Sequence, residues 1–387
     1  MARMNFVLAA GGTGGHMVPA HALAVELTAR GHGVLVITDE RGAKIPGLFE
    51  KIAVHVLPAG RLGRNPLTLL KAAGAVLAGR YEAKTIYREH RPDAVVGFGG
   101  YPAFPALLAA SAMRIPTVLH EQNGVMGRVN RLLAGRATAI GTAFSEIDRL
   151  KPRYRDKVVL VGNPVRDAIV KVGEMPFPPF DDTAPLKILV TGGSQGASIL
   201  GQVVPDGLGM LDAALRHRLQ VVQQCRPDDI DDIRARYADM EIPAELMTYI
   251  LDMPQKLAEA HLVIGRAGAS TIAELTAAGR PAILIPFGAA TDDHQTANAR
   301  EMVKAGGARA IPQDEFTPEA LARQIETIAG DPNALANAAA RSLSVGRPNA
   351  AGDLADLVER VGGGLSPLPV GLEPRKVTAY AGPGVPA

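Results

Sequence analysis

The feature that most constrains the fold is a strand that runs into a glycine-rich turn and then a helix, and it occurs twice. Asn5–Ala10 leads into Gly11-Gly12-Thr13-Gly14-Gly15-His16, and Leu186–Thr191 leads into Gly192-Gly193-Ser194-Gln195-Gly196-Ala197. Glycine permits the tight turn and lets a ligand approach the backbone, while the free amides and dipole of the following helix attract an anion. Two such loops, each at the carboxyl end of a first strand, predict two phosphorylated ligands meeting between two similar halves.

Around the two loops, short β-rich runs alternate with helix-length segments. The runs are Phe6–Ala10, Val34–Thr38, Ala94–Phe98, Thr117–His120, Val158–Val161, Ile188–Thr191, Leu219–Gln223, Leu262–Gly265 and Ala282–Pro286, with a further strand-like run ending at Tyr249. This is the βαβ pattern of parallel sheets covered by helices on both faces, so an α/β fold with two Rossmann-like domains is expected. The 387 residues suffice for two cores. The expected boundaries are 1–164 and 165–346, with a helix near 347–362 returning to the first domain and a Gly- and Pro-rich tail at 363–387. The proline-rich stretch Glu174–Pro185 marks a loop just past the crossover, and the hinge is placed near 163–166.

A formal net charge of +2 gives no global attraction to nucleic acid. The single cysteine, Cys225, has no partner for a disulfide, and the run Phe6–Ala10 is too short for a signal peptide, so a cytoplasmic setting is expected. No run of apolar residues is long enough to span a bilayer. The segment Pro66–Gly79 carries Leu70, Ala73, Val76 and Leu77 at helical spacing, bracketed by Arg61, Arg64, Arg80 and Lys84. It suits either an anionic membrane surface or a core-facing helix with solvated ends.

Alone, the first loop also suits a dinucleotide enzyme, with Asp39 and Glu40 at the distance expected of a ribose-binding acid. Neither loop has GxGxxG spacing, and the remaining motifs point elsewhere. They are GFGGYPAFP at 97–105, HEQN at 120–123, GNPVR at 162–166, RAGASTIAEL at 266–275 and DDHQTANA at 292–299. With the two glycine loops, in this order, they resemble the MurG family of peptidoglycan glycosyltransferases, which add N-acetylglucosamine to lipid I to make lipid II. The resemblance covers residues 5 to about 345. It implies a GT-B fold, inversion at the transferred sugar, no cofactor and no catalytic metal. It also implies UDP-N-acetylglucosamine in the second domain, and a first domain facing the lipid-linked acceptor at the cytoplasmic face of the inner membrane. Other cell-wall synthesis or division proteins are candidate partners.

The reaction requires an acceptor hydroxyl to attack the anomeric carbon while the departing UDP is stabilised. Amides of the second loop, Ser194 and the guanidinium of Arg166 suit the diphosphate. The resemblance places Ala269, Ser270 and Thr271 on the donor, Glu274 on the ribose hydroxyls, Gln295 on the sugar hydroxyls with Asn298 beside it, and Ile250 on uracil through backbone and side chain. Thr13, Gly14, Gly15 and Asn123 are shared between donor sugar and acceptor. Gly12, Tyr101 and His120 complete the acceptor side. Candidates for the general base are His16, His120 and Glu121, with His16 favoured by its place at the lip of the first loop. Asp228–Asp232 contains a DxD spacing, but it follows Pro227 at a helix start, where acids satisfy the helix dipole. Gln223-Gln224-Cys225-Arg226 departs from the family's motif there, so contacts from that segment do not carry over. The basic loop Arg61–Arg64 departs likewise.

Overall fold

The computed structural model describes residues 2–367 except 13, 46–47, 50–51, 59–65, 182, 194–195, 332 and 366. Side chains of 66–70 and 291 are also outside the description. Expectations on Thr13, Ser194, Gln195, Arg61, Arg64 and the end of the tail therefore fall outside the described residues, as does the side chain of Leu70.

Seven strands form the first sheet: β1 (Asn5–Ala9), β2 (Gly33–Thr38), β3 (Ala53–Val56), β4 (Ala94–Gly97), β5 (Thr117–Glu121), β6 (Ala139–Thr142) and β7 (Val158–Leu160). Six form the second: β8 (Leu186–Thr191), β9 (Leu219–Gln224), β10 (Ala244–Met247), β11 (Leu262–Gly265), β12 (Ala282–Leu284) and β13 (Ala308–Ala310). Their orders are β3-β2-β1-β4-β5-β6-β7 and β10-β9-β8-β11-β12-β13, with every pair parallel. The order reverses between β1 and β4 in one sheet and between β8 and β11 in the other. Each glycine loop thus leaves the strand at its sheet's switch point, where such folds open a crevice for ligands.

The central strands read as unbroken apolar runs because helices cover both faces. Phe6, Leu8, Val36, Val96 and Val118 face one core of the first domain, and Val7, Ala9, Ile37, Val95 and Leu119 face the other. The helix Ala350–Gly362, though last in the chain, inserts Leu354, Leu357, Val358 and Val361 into the first of these cores. Buried Glu359 holds it there, accepting from Arg30 Nη1 at 3.1 Å and lying 2.9 Å from His32 Nε2. Removing one member would strand a charge in the core, which explains why three polar groups converge. At the crossing between domains Gly162 is left-handed, with φ 87°, and a Cβ there would lie 2.8 Å from Cβ of both Arg347 and Ala350. Only glycine lets the outgoing and returning segments touch.

Candidate active site

In the first loop, Gly12 adopts φ 89°, and a Cβ on Gly11 would lie 2.4 Å from Pro102 Cβ. The facing turn supplies Gly99 and Gly100, with φ of 83° and 76°. These left-handed positions bring the turn against His16: Cβ atoms there would lie 3.5 Å from His16 Nε2 and 3.6 Å from Nδ1, respectively. His16 lies in the first turn of the helix Gly14–Ala29, whose leading amides have no intrahelical acceptor. Burial lowers the pKa of its imidazole, partly offset by the Gly11 backbone. The buried Nδ1 has no hydrogen bond of good geometry among the described residues. Gly15 and Tyr101 are exposed at the same rim.

His120 and Glu121 differ from the sequence expectation of proton acceptors at the cleft. His120 is fully buried; its Nε2 bonds the Gly162 carbonyl at 2.9 Å, and Gln122 Nε2 donates to its Nδ1 at 3.0 Å. Both ring nitrogens are committed, and burial depresses its pKa to about 4. Glu121 is buried at the end of β5 and accepts four bonds: Asn123 N at 3.1 Å, Asn123 Nδ2 at 3.4 Å, Gly127 N at 2.7 Å and Asn130 Nδ2 at 2.9 Å. A carboxylate so occupied shapes the loop 122–127. Burial nevertheless raises its pKa, because desolvation outweighs the donors.

On the second domain, Gly193 and Gly196 are left-handed, and a Cβ on Gly192 would lie 2.4 Å from Ala197 N. The loop therefore folds back on itself over the start of the helix Ser198–Gly209. The QQCR segment supports it. Gln224 accepts from Thr191 Oγ1 at 3.0 Å, Gln223 from Tyr237 OH at 2.6 Å, and Arg226 reaches Ser198 Oγ at 2.8 Å. Cys225 is buried and its thiol pKa is pushed up to about 11, mainly by burial, which makes it a packing residue. Asp231 and Asp232 lie in the first turn of the helix Ile230–Asp239 and pair with Arg234 and Arg236.

The helix Ala269–Ala277 begins beside β11 and carries Ser270 and Thr271 in its first turn and Glu274 in the next. The Ser270 hydroxyl is buried and unpartnered among the described residues. Arg166 Nη2 and Glu274 Oε1 pair at 3.0 Å. Burial raises the Glu274 pKa, with Arg166 opposing. Gln295 Oε1 accepts from Phe287 N at 2.9 Å. Ile250 departs from expectation: its side chain is buried in a core with Leu257 and Val263, which leaves only its backbone for a ligand. Its neighbours Tyr249 and Leu251 are exposed.

The two domains meet along the helix His294–Ala305. Asn298 accepts from Gly124 N at 2.7 Å and donates to the Ala267 carbonyl at 3.0 Å and to Asn123 Oδ1 at 3.3 Å. The HEQN loop of one domain is thereby tied to the DDHQTANA helix of the other. Further along, Glu301 accepts from Ser145 N at 2.7 Å, and Arg300 pairs with Asp148 at 2.9 Å.

The glycosyltransferase family 28 N-terminal domain matches residues 6–142, and the family's C-terminal domain matches residues 187–357. A curated protein of Erythrobacter litoralis is 61% identical over 362 residues, covering 94% of this chain and 91% of its own. One of Novosphingobium aromaticivorans is 63% identical over 358 residues, covering 92% of each. Both are named as UDP-N-acetylglucosamine–N-acetylmuramyl-(pentapeptide) pyrophosphoryl-undecaprenol N-acetylglucosamine transferase. The chain belongs to the MurG family, within glycosyltransferase family 28. The crystal structure of Acinetobacter baumannii MurG superposes with a TM-score of 0.75 at 30% identity, over 92% of this chain and 99% of that one. A UDP-GlcNAc 2-epimerase from Neisseria meningitidis, at 15% identity and a TM-score of 0.64, shares the fold.

In this MurG-family chain several supporting residues were not singled out by sequence reasoning. Gln122 and Asn130 fix His120 and Glu121; Gln122 lies inside the HEQN motif but carried no role of its own, and nothing in the local sequence of Asn130 distinguishes it from a surface amide. Asp39, set aside as a ribose acid of a dehydrogenase, is spent otherwise. Its Oδ1 accepts from Gly12 N and Gly42 N, each at 3.0 Å, bracing the first glycine loop from the end of β2.

Proposed function

We infer that this chain transfers N-acetylglucosamine from UDP-N-acetylglucosamine to the muramoyl C4 hydroxyl of undecaprenyl-diphospho-N-acetylmuramoyl-pentapeptide, forming lipid II. The observation that carries this is the 61% identity, along 94% of the chain, to a curated transferase of that name. Purified protein incubated with labelled UDP-N-acetylglucosamine and a lipid I analogue is expected to transfer label. A C2-epimeric sugar product formed without the acceptor would instead indicate epimerase chemistry on the shared fold.

For the chemistry, the acceptor hydroxyl loses its proton to His16 as its oxygen bonds the anomeric carbon from the face opposite the diphosphate, and the bond to UDP breaks with inversion. An imidazole at the rim of the first loop, held neutral by burial against the opposing Gly11 backbone, supports this role, and the closed hydrogen-bond sets of His120 and Glu121 argue for framework duties. Arg166, Ser194, the second-loop amides and the unpartnered Ser270 hydroxyl, with Ala269 and Thr271, take the developing charge on the diphosphate. Glu274 exchanges its pairing with Arg166 for the ribose hydroxyls. Gln295 reads the sugar, and the Ile250 backbone faces uracil. Thr13, Gly14, Gly15 and Asn123 serve both the donor sugar and the acceptor, and Gly12 and Tyr101 serve the acceptor.

The cytoplasmic membrane face is the proposed location. No helix among the described residues is long and apolar enough to cross a membrane. The helix Pro66–His90 buries Ala72, Ala83, Ile86 and Tyr87 but turns Ala73, Leu77 and Tyr81 outward, one turn apart, with Lys71 beside them. Leu77 is 63% and Tyr81 72% exposed, an apolar stripe suited to a headgroup boundary. Leu77→Glu with Tyr81→Glu is expected to weaken flotation with anionic vesicles by about a hundredfold, from roughly 1.5 kcal/mol per lost apolar side chain. UDP binding should be unchanged; unaltered flotation would remove this surface from consideration.

A further inference from the structure

Two consecutive non-glycine residues in the left-handed region are uncommon, because Cβ crowds the following carbonyl oxygen. Asp292 (φ 60°, ψ 21°) and Asp293 (φ 51°, ψ 38°) form such a pair directly before the helix His294–Ala305. The Asp292 carboxylate reaches out of its own domain. Its Oδ2 accepts from Arg131 Nη2 at 2.9 Å and its Oδ1 from Arg149 Nη1 at 2.7 Å. Arg149 is itself left-handed, with φ 62°. Strained backbone persists only where its surroundings over-determine it. Here the surroundings include two guanidinium groups from the other domain.

We propose that Asp292 is a positioning residue for sugar transfer: its pairing with Arg131 and Arg149 across the cleft holds the left-handed turn that sets Gln295 against the donor sugar. This deepens the donor-site reading above and rests on it for the role of Gln295. Gln295 stands three residues beyond Asp292, within the first turn of the helix, so a change in the turn moves it directly. When the domains separate, Asp292 loses both partners, the turn relaxes and the sugar contact goes with it. Closure and donor alignment are then one event, and the anomeric carbon is aligned for attack only when the cleft is closed to water.

The other cross-domain pairs do a different job. Arg300 with Glu146 and Asp148, and Lys304 with Glu146, lie two to three turns along the same helix and are more exposed. They and the Asn298 bonds hold the helix to the first domain without acting on the turn. Removing the Asp292 pairing should therefore uncouple alignment without separating the domains.

The test uses the full chain with Asp292→Asn, Asp292→Glu, Arg131→Gln and the Asp292→Asn/Arg131→Gln double variant. Calorimetry measures UDP affinity, and steady-state kinetics with a lipid I analogue measure kcat and KM. Asp292→Asn is expected to lower kcat by on the order of tenfold to a hundredfold, as a misplaced reacting group would, while UDP affinity stays within about twofold because the diphosphate and uracil sites are untouched. Asp292→Glu should recover part of the loss, and the double variant should be no worse than the more impaired single one. Unchanged kcat in Asp292→Asn, additive losses in the double variant, or equal losses of UDP affinity and kcat would each overturn the proposal. A Gln295→Ala variant with unaltered KM for the donor sugar would retire the Gln295 reading separately, since the non-additivity between Asp292 and Arg131 is measured without it.

Discussion

Replacing His16 by alanine is expected to lower kcat by on the order of 100- to 10,000-fold, the usual contribution of a positioned general base, while leaving UDP affinity unchanged. The imidazole sits at the rim of the first glycine loop, its buried Nδ1 makes no well-aligned hydrogen bond among the described residues, and burial, opposed by the Gly11 backbone, holds its pKa below the ordinary 6.5. A base acts in its neutral form, so activity should persist as pH falls through the range where an exposed histidine protonates, and decline only below it. An alkaline-shifted acidic limb of kcat, or a His16→Ala variant with near-normal turnover, would reassign the base. His120→Ala separates the readings, because it removes a buried link to the Gly162 carbonyl at the domain crossing. Its loss should appear in thermal stability as well as in rate.

Gly124→Ala is expected to cost about a hundredfold in kcat, the scale at which a displacement near 1 Å disables an aligned site, with little change in thermal midpoint. A Cβ on Gly124 would lie 2.9 Å from the Ala297 carbonyl carbon and 3.0 Å from its Cβ and oxygen. These atoms are mostly backbone of a packed helix, so no side chain can swing aside. The same residue donates its N–H to Asn298 at 2.7 Å, which fixes the two domains in register at that point. The added methyl acts as a wedge between domains whose separate cores it does not enter. Small-angle scattering should show a more open particle, and a Gly124→Ala enzyme with wild-type kcat and envelope would exclude the wedge.

Much of the architecture was legible in the residues because its causes are local. β1, β4, β8 and β11 are buried over most of their length and read as largely apolar runs, β5 is buried throughout although it ends in His120 and Glu121, and each glycine loop announces itself directly after a strand. Three strands escaped notice for physical reasons. β3 and β13 are sheet edges with exposed residues, and β13 has only three residues, Ala308–Ala310. β6, Ala139–Thr142, is fully buried, yet it contains alanine and glycine where β-branched residues would have marked it.

The site divides along the same line. The sequence by itself determined two parallel-sheet halves, a glycine-rich loop at the head of each, and the ordered motifs that place the chain in its family. These depend on residue type at short spacing. Only the tertiary structure decided that His120 and Glu121 are closed off by Gln122, Gly162 and Asn130, that the Ile250 side chain belongs to the core, and that Asp292 reaches Arg131 and Arg149. Those outcomes depend on desolvation and on partners up to 161 residues apart in the chain, brought together by domain packing. A buried histidine and a rim histidine have the same letter, and only their surroundings distinguish them.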